Sequence, residues 1–279
     1  MDLKGKFSEL KKRGEGGLIV YVTGGDPDPE LTPSIVEAAV EGGADIIEIG
    51  IPFSDPIADG PTIQASSVRA LRAGVTPKMV VEMAGEVKEQ LNVPVILLSY
   101  YNPIFRMGVE RFFELAEANG VDGVIVPDLP FEEAGEYRKF AKAHGVDTIF
   151  LAAPSTPSER LKRIIEFTSG FLYLVSVFGV TGVRERVQRL TIETVSRVKR
   201  FTENVIPLAV GFGLSKPEHV RLVLECGADA AIVGSAFIKI IEGAKEVLMK
   251  VEEYARKLKE ATRNVNRMRG VPRAGASQY

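Results

Sequence analysis

Eight short apolar runs recur along the whole chain, and they constrain its fold more than any other feature of the sequence. Each run is continuous, whereas a strand with one face in water would alternate apolar and polar residues, so each predicts a strand buried on both faces. The predicted strands are residues 18–23, 46–49, 93–98, 123–126, 148–152, 171–176, 205–210 and 230–233. Strands of this kind are typical of parallel sheets that are covered by helices.

Longer amphipathic segments lie between the predicted strands. Two of them begin at residues 156–159 and 215–218, which have capping-box spacing with a proline in the first turn. The regular alternation predicts parallel strands joined by right-handed crossovers. Eight such units predict an α/β fold of the (β/α)8 or TIM-barrel class, with an active site in the loops after the strands. An open doubly wound sheet is the alternative, but no Gly-x-Gly-x-x-Gly motif follows the first strand.

The length of 279 residues is compatible with two average domains, but a TIM barrel of about 250 residues forms one unit. Because no linker-like change of composition interrupts the chain, we expect a single catalytic domain over residues 1–261. Residues 262–279 contain four arginines and no acid, and they offer little apolar area to bury. They are expected to form a basic, flexible C-terminal tail.

Composition excludes several kinds of partner. The formal net charge is −2 and bases are mixed with acids, so we expect no nucleic acid partner. Cys226 is the only cysteine, which excludes an intrachain disulfide or a cysteine-based metal site and fits a reducing cytoplasm. Residues 1–13 have no signal-peptide core, and no run of about 18 apolar residues follows, so we expect a cytoplasmic protein without membrane contacts.

Three acidic residues stand out within or just after the second predicted strand. Glu48 lies inside a run that should be buried, where a carboxylate is costly unless it is paired or used in catalysis. Asp55 and Asp59 follow in a loop that its prolines make stiff, although aspartates in loops often only cap turns or helices. The residues alone leave a structural and a catalytic role open.

Residues 48–64 have the sequence EIGIPFSDPIADGPTIQ, which closely resembles the signature of the tryptophan synthase α subunit family. Further matches, in the same order and spacing, lie at residues 21–27, 100–103, 126–130, 179–182 and 233–236. The resemblance implies that Glu48 and Asp59 are a catalytic pair. It also implies a lyase that cleaves indole-3-glycerol phosphate into indole and glyceraldehyde 3-phosphate by a retro-aldol reaction, without a metal or an organic cofactor.

Glycine-containing loops follow the seventh and eighth predicted strands. Gly211 and Gly213 lie in the first loop, and Gly234 and Ser235 in the second. Glycine lets backbone N–H groups approach a ligand, and these two loops are where TIM barrels commonly bind phosphate, although tight turns alone would also explain the glycines. The resemblance adds Gly182 as a further phosphate contact.

Tyr100 and Tyr173 would, on pattern alone, be core aromatics. The resemblance places them, with Leu98 and Phe212, in the wall of the pocket for indole and glycerol. A flat, uncharged indole needs apolar walls, so the core and the pocket interpretations are compatible.

Thr181 lies in a glycine-punctuated loop that resembles the mobile lid of the family, and the resemblance makes it a substrate-binding residue. Many members carry an arginine shortly before the first glycine of this loop, where this sequence has Val177 and Phe178. A lid or partner contact through that arginine is therefore not carried over.

The resemblance also implies a partner, the β subunit, which depends on pyridoxal phosphate and condenses indole with serine in an α2β2 complex. Pro52 and Asp55 lie in the loop expected to contact it, and the cofactor is expected only in that partner.

Two other functions stay open. One is a different phosphate-binding barrel of the histidine or tryptophan pathway, which residues 48–59 do not support. The other is an inactive barrel kept as a binding subunit, against which the carboxyl pair argues.

Overall fold

The computed structural model describes residues 1–176, 184–243, 245–263 and 265 of the chain. In these residues nine parallel strands form one sheet, with the neighbour order β5-β4-β3-β2-β1-β9-β8-β7-β6. The strands are β1 (Gly17–Thr23), β2 (Ile46–Gly50), β3 (Val95–Leu98), β4 (Gly123–Ile125), β5 (Asp147–Ile149), β6 (Leu151–Ala152), β7 (Leu172–Val175), β8 (Leu208–Gly211) and β9 (Ala230–Val233).

Helices follow the strands and cover the sheet, together with a short 3-10 helix at Phe131–Glu133. The α-helices are α1 (Leu3–Arg13), α2 (Thr32–Glu41), α3 (Pro61–Arg72), α4 (Pro77–Leu91), α5 (Tyr101–Met107), α6 (Val109–Ala118), α7 (Gly135–Ala143), α8 (Ser158–Phe167), α9 (Arg184–Thr202), α10 (Pro217–Glu225), α11 (Ser235–Gly243) and α12 (Val247–Glu260). In the described part of the chain, no helix combines the length and apolarity needed to cross a membrane.

The two end strands of the sheet are consecutive in the chain and are separated only by Phe150. β5 pairs with β4, whereas β6 pairs with β7, and the Phe150 carbonyl accepts a hydrogen bond from the Tyr173 N–H at 3.1 Å. The predicted strand 148–152 is thus divided, and its two parts close the sheet into a barrel. The predicted TIM barrel is confirmed, and the open doubly wound sheet is wrong.

The predicted strand 205–210 starts too early. Val205 is 68% exposed, and the N–H groups of Val205 and Ile206 bond back to the Thr202 carbonyl in a turn. Pro207 has no N–H to give to a neighbouring strand, so β8 begins at Leu208. The predicted strand 93–98 is shortened in the same way, because β3 begins just after Pro94.

The two predicted helix starts are confirmed, but the predicted capping boxes are not. Helix α8 has Pro157 as its N-cap and α10 has Lys216, and neither residue makes a side-chain capping bond. The Thr156 hydroxyl accepts instead from the Ala153 N–H at 2.9 Å, which stabilises the preceding turn. Pro217 is the first residue of α10, a position that its fixed backbone angle favours, whereas Pro157 precedes the first turn of α8 and does not lie in it as predicted.

Helix α1 covers the amino-terminal end of the barrel. It buries Leu3, Phe7 and Leu10, and the Phe7 ring lies 5.9 Å from that of Phe171, just before β7. Because this end is closed, the carboxyl ends of the strands are left for a binding site, as is general for this fold.

The described residues continue past the expected domain end at residue 261. Thr262, which the sequence assigned to the tail, is fully buried, and its carbonyl accepts from the Gly16 N–H at 2.9 Å. Residues 264 and 266–279 lie outside the described residues, so a flexible tail remains a prediction for them.

Candidate active site

A cavity of about 470 Å³ lies at the carboxyl ends of the strands. It brings together residues that the sequence predicted separately, from five strands and the loops after them. The predicted residues in its lining are Glu48, Asp59, Leu98, Tyr173, Phe212, Gly213, Gly234 and Ser235. The predicted catalytic pair, part of the predicted apolar wall and part of the predicted phosphate loops therefore share one space.

Glu48 projects into this cavity from the middle of β2 and is 1% exposed. Its Oε2 atom is buried and has no hydrogen-bond partner in the described residues. Burial, and then the nearby charge of Asp59, raises the pKa of Glu48 to about 8. The carboxyl is thus mostly protonated at neutral pH, and no basic group in the described structure pairs with it, which argues against a structural salt bridge.

Asp59 reaches the same cavity from the loop between β2 and α3. The Tyr100 hydroxyl donates to Asp59 Oδ2 at 3.0 Å and accepts from the Ala58 N–H at 2.9 Å. Burial raises the pKa of Asp59 to about 6, while the bond from Tyr100 acts in the opposite direction. At neutral pH the cavity therefore holds one neutral carboxyl, Glu48, and one that is mostly ionised, Asp59. Environments that push two pKa values apart are typical of acid–base sites.

The wall of the cavity is apolar and includes Leu98, Tyr173 and Phe212. The rings of Tyr173 and Phe212 meet edge to face with centroids 6.0 Å apart. A Cβ atom at Gly211 would lie 2.2 Å from the Tyr173 hydroxyl oxygen, so only glycine leaves room for this tyrosine. Gly211 is not among the residues that line the cavity, so a phosphate contact there stays a prediction.

Backbone groups of the loops after β8 and β9 form another part of the cavity. Phe212 and Gly213 have positive φ angles of 70° and 75°, a conformation that is uncommon for an aromatic residue, and the Ser176 hydroxyl donates to the Phe212 carbonyl. Ser235 is the first residue of α11, where N–H groups without intrahelical partners favour an anion. Among the described lining residues none is Lys, Arg or His, so an anion here would depend on backbone N–H groups and the Ser235 hydroxyl.

Some predicted residues lie elsewhere. Tyr100 lies behind Asp59, which it holds in place. Pro52 lines a second cavity of about 830 Å³ between its loop and helices α4 to α6, and Asp55 is exposed, accepting from the Ser54 hydroxyl at 2.5 Å. Thr181 and Gly182 lie outside the described residues. No group of three or more His, Cys, Asp or Glu side chains suited to a metal ion occurs in the part of the chain that the structure describes.

Residues 21–27 match the family, but the sequence assigned no role to Tyr21, Thr23 or Ser66. Tyr21 lines the cavity, is the register partner of Glu48 on β1, and is hydrogen-bonded to Thr23 at 3.1 Å. The available signal was the pair of polar residues at alternate positions near the end of a strand that is otherwise apolar. Ser66 is 43 positions from Thr23, and only the folded chain brings the two together.

Comparison with known proteins points to one family. Residues 7–263 match the family model described as tryptophan synthase alpha chain. The tryptophan synthase alpha chain of Methanosarcina barkeri is 49% identical over 261 residues, covering 94% of this chain and 97% of that protein. The corresponding chain of Methanocaldococcus jannaschii is 52% identical over 243 residues, covering 87% of this chain and 85% of that one.

Solved structures lead to the same family. The tryptophan synthase subunit alpha of Legionella pneumophila superposes with a TM-score of 0.86 at 35% sequence identity, covering 95% of this chain and all (100%) of that one. Sequence and fold therefore agree along nearly the whole chain, which belongs to the tryptophan synthase alpha chain family.

Proposed function

We propose that Glu48 and Asp59 carry out the reaction of this family in the cavity at the carboxyl ends of the strands. That reaction is the lyase cleavage of indole-3-glycerol phosphate to indole and glyceraldehyde 3-phosphate, a step of tryptophan biosynthesis. The observation that carries the assignment is the pairing, in one apolar cavity, of a carboxyl that is neutral at neutral pH with one that is ionised.

The two protonation states suggest an order for the proton transfers. The neutral Glu48 donates a proton to C3 of the indole ring, which makes the ring cationic and able to accept the electrons of the bond to be broken. The Asp59 carboxylate, near the indole N–H, stabilises this positive charge. Glu48, now a carboxylate, takes the proton from the adjacent side-chain hydroxyl as the carbon–carbon bond breaks. Indole and the aldehyde form, and Glu48 returns to its neutral state.

The same cavity accounts for the rest of the substrate. Indole would lie between Leu98, Tyr173 and Phe212, which present a flat apolar wall. The phosphate would lie at Gly213, Gly234 and Ser235, where the start of α11 favours negative charge. Thr181 and Gly182 are proposed to complete the glycerol and phosphate contacts from their loop, as the family resemblance implies.

We also propose that the chain works with the β subunit in an α2β2 complex, through the loop that contains Pro52 and Asp55. Ile57 in this loop is 82% exposed, and a large apolar side chain held out on a proline-stiffened loop suits a protein contact. Pyridoxal phosphate would be bound only by that partner. If the proposal is right, Ile57→Ser should weaken binding of purified β subunit in calorimetry while leaving indole release by the isolated chain unchanged.

The direct test is to incubate the purified chain with indole-3-glycerol phosphate and to measure both products. We expect indole and glyceraldehyde 3-phosphate in equal amounts, with and without a chelator. Binding of the β subunit without any indole release would instead indicate an inactive binding subunit. A cytoplasmic location, expected from the single cysteine, stays a prediction, as does a single catalytic domain over residues 1–261.

A further inference from the structure

A chain of hydrogen-bonded oxygens leads from the cavity into helix α3. The Tyr21 hydroxyl lies 3.1 Å from Thr23 Oγ1, which lies 2.6 Å from Ser66 Oγ. Ser66 Oγ in turn lies 2.7 Å from the carbonyl oxygen of Ile63. Tyr21 is 5% exposed, Thr23 1% and Ser66 0%, so all three side chains are shielded from bulk water.

The last oxygen fixes the direction of every bond in the chain. A carbonyl can only accept, so Ser66 must give its single proton to Ile63. Thr23 must then donate to Ser66, and Tyr21 must donate to Thr23, because each hydroxyl has one proton. The Tyr21 oxygen is left with lone pairs and no proton to offer to the cavity.

The Tyr21 side chain shares the cavity with the Glu48 carboxyl, and the described structure has no hydrogen bond between the two. Tyr21 and Glu48 are Cα partners across the β1–β2 pair, and both side chains line the cavity. A Cβ atom at Gly50, two residues along β2 and on the same face as Glu48, would lie 2.3 Å from the Tyr21 hydroxyl oxygen. The hydroxyl therefore lies over the face of β2 that carries the carboxyl.

We propose that this chain of hydrogen bonds makes Tyr21 a positioning residue for Glu48, because it holds the tyrosine hydroxyl as an acceptor that favours the protonated carboxyl. An acceptor can bind the O–H of a carboxylic acid, whereas it repels the lone pairs of a carboxylate. Among the described residues that line the cavity, the other titratable groups are Asp59, from the loop after β2, and Tyr173, from β7. The negative charge of Asp59 acts in the same direction, and burial adds to both effects.

The proposal rests on the role given to Glu48 above, so its test measures protonation without substrate. In Thr23→Val, which keeps the shape, the Tyr21 proton is released from Thr23 and can turn into the cavity to bind a Glu48 carboxylate. The pKa of Glu48 should then fall by about one unit or more. Ser66→Ala should act alike, since Thr23 loses its acceptor and can donate back to Tyr21. Thr23→Ser keeps the hydroxyl and should restore the parent titration.

The readout is the carboxyl 13C shift of Glu48 in the full-length, glutamate-labelled chain, assigned by its loss in Glu48→Gln. Thr148→Val is a matched control. Thr148 is 4% exposed, and its hydroxyl donates to the Phe167 carbonyl, so the variant also loses one buried hydrogen bond. Thr148 lies at the opposite end of the barrel from the cavity. The variant should leave the titration unchanged. In a Tyr21→Phe background, Thr23→Val should no longer have any effect.

An unchanged Glu48 titration in both Thr23→Val and Ser66→Ala would overturn the proposal. If Thr23→Val still shifts the Glu48 titration in the Tyr21→Phe background, the effect does not depend on Tyr21, and the proposal would also be overturned. The pH profile of indole release separates the role of the hydrogen-bond chain from the catalytic role of Glu48. If the 13C titration shifts and the activity profile does not, the hydrogen-bond chain stands and the catalytic assignment of Glu48 fails.

Discussion

At the scale of single residues, Glu48 and Asp59 share one cavity but are held by different means. A strand interior fixes Glu48, whereas Asp59 lies on a loop and is fixed by the Tyr100 hydroxyl. The sequence identified both residues because they belong to one continuous signature. It could not give their pKa values, which depend on burial and on the approach of two side chains. The sequence assigned no role to Tyr21, Thr23 and Ser66 for a similar reason, because their mutual contacts form only in the folded chain.

Asp59→Asn should separate charge stabilisation from binding. The amide cannot stabilise a cationic ring, so turnover should fall roughly 10²- to 10³-fold, while the uncharged ring of the substrate should bind nearly as before. The pKa of Glu48 should also fall, because the charge of Asp59 helps to raise it. Steady-state kinetics and substrate affinity measure the first effects, with exposed Asp55→Asn as the control. An affinity loss as large as the turnover loss would assign Asp59 to substrate binding instead.

At the scale of elements, the strands and helices were largely predictable because both follow from continuous local patterns. The division at Phe150 was not, since it depends on which neighbour each half of the strand pairs with. The predicted start of a strand at Val205 was wrong, because an apolar residue can also lie exposed in a turn. The part of the cavity where we propose that phosphate binds was predictable, because glycines mark the loops after β8 and β9.

The start of α11 offers an element-level test through Ser235→Asp. A negative charge at the first helical residue occupies the place proposed for the phosphate, so the KM for indole-3-glycerol phosphate should rise at least tenfold while the fold survives. Ser158→Asp makes the same change at the exposed first residue of α8, outside the cavity lining, and should leave kinetics unchanged. If KM is unaltered in Ser235→Asp, the phosphate lies elsewhere.

At the scale of the whole molecule, titration of Glu48 should lower the stability of the folded chain as pH rises. The folded chain binds the Glu48 proton more tightly than the unfolded chain, with a pKa of about 8 against a reference value of 4.5. Between these values the folded state holds more protons, so the free energy of unfolding should decrease with rising pH. Glu48→Gln has no carboxyl to titrate, so its free energy of unfolding should not show this decrease. Between pH 5 and pH 8 the variant should therefore become more stable relative to the parent, by a few kcal/mol at most, on the order expected from this pKa shift.

Urea denaturation of Glu48→Gln and the parent at these two pH values checks the sign. Since every other titrating group is common to both chains, the difference between them isolates Glu48. A variant that becomes less stable than the parent as pH rises would show that the Glu48 carboxylate is paired in the folded chain.

The tail can be tested by deletion at two points. Removing residues 266–279 should leave thermal stability and indole release nearly intact, because this arginine-rich sequence offers little apolar area. A deletion that begins at Thr262 removes a fully buried residue and its bond to Gly16, and it should lower the Tm. For the shorter deletion, a drop of more than about 5 °C, or roughly 1 to 2 kcal/mol, would show that the tail packs on the barrel.

The central claim is that Glu48 transfers the protons of the reaction, and Glu48→Gln tests it most directly. The amide keeps the shape and hydrogen-bonding capacity of the side chain but cannot give and take a proton. Indole release and substrate affinity should therefore be measured together. We predict that turnover falls roughly 10²- to 10⁴-fold while indole-3-glycerol phosphate still binds as in the parent. Near-normal turnover in this variant would contradict the mechanism, even though the fold and the family would stand.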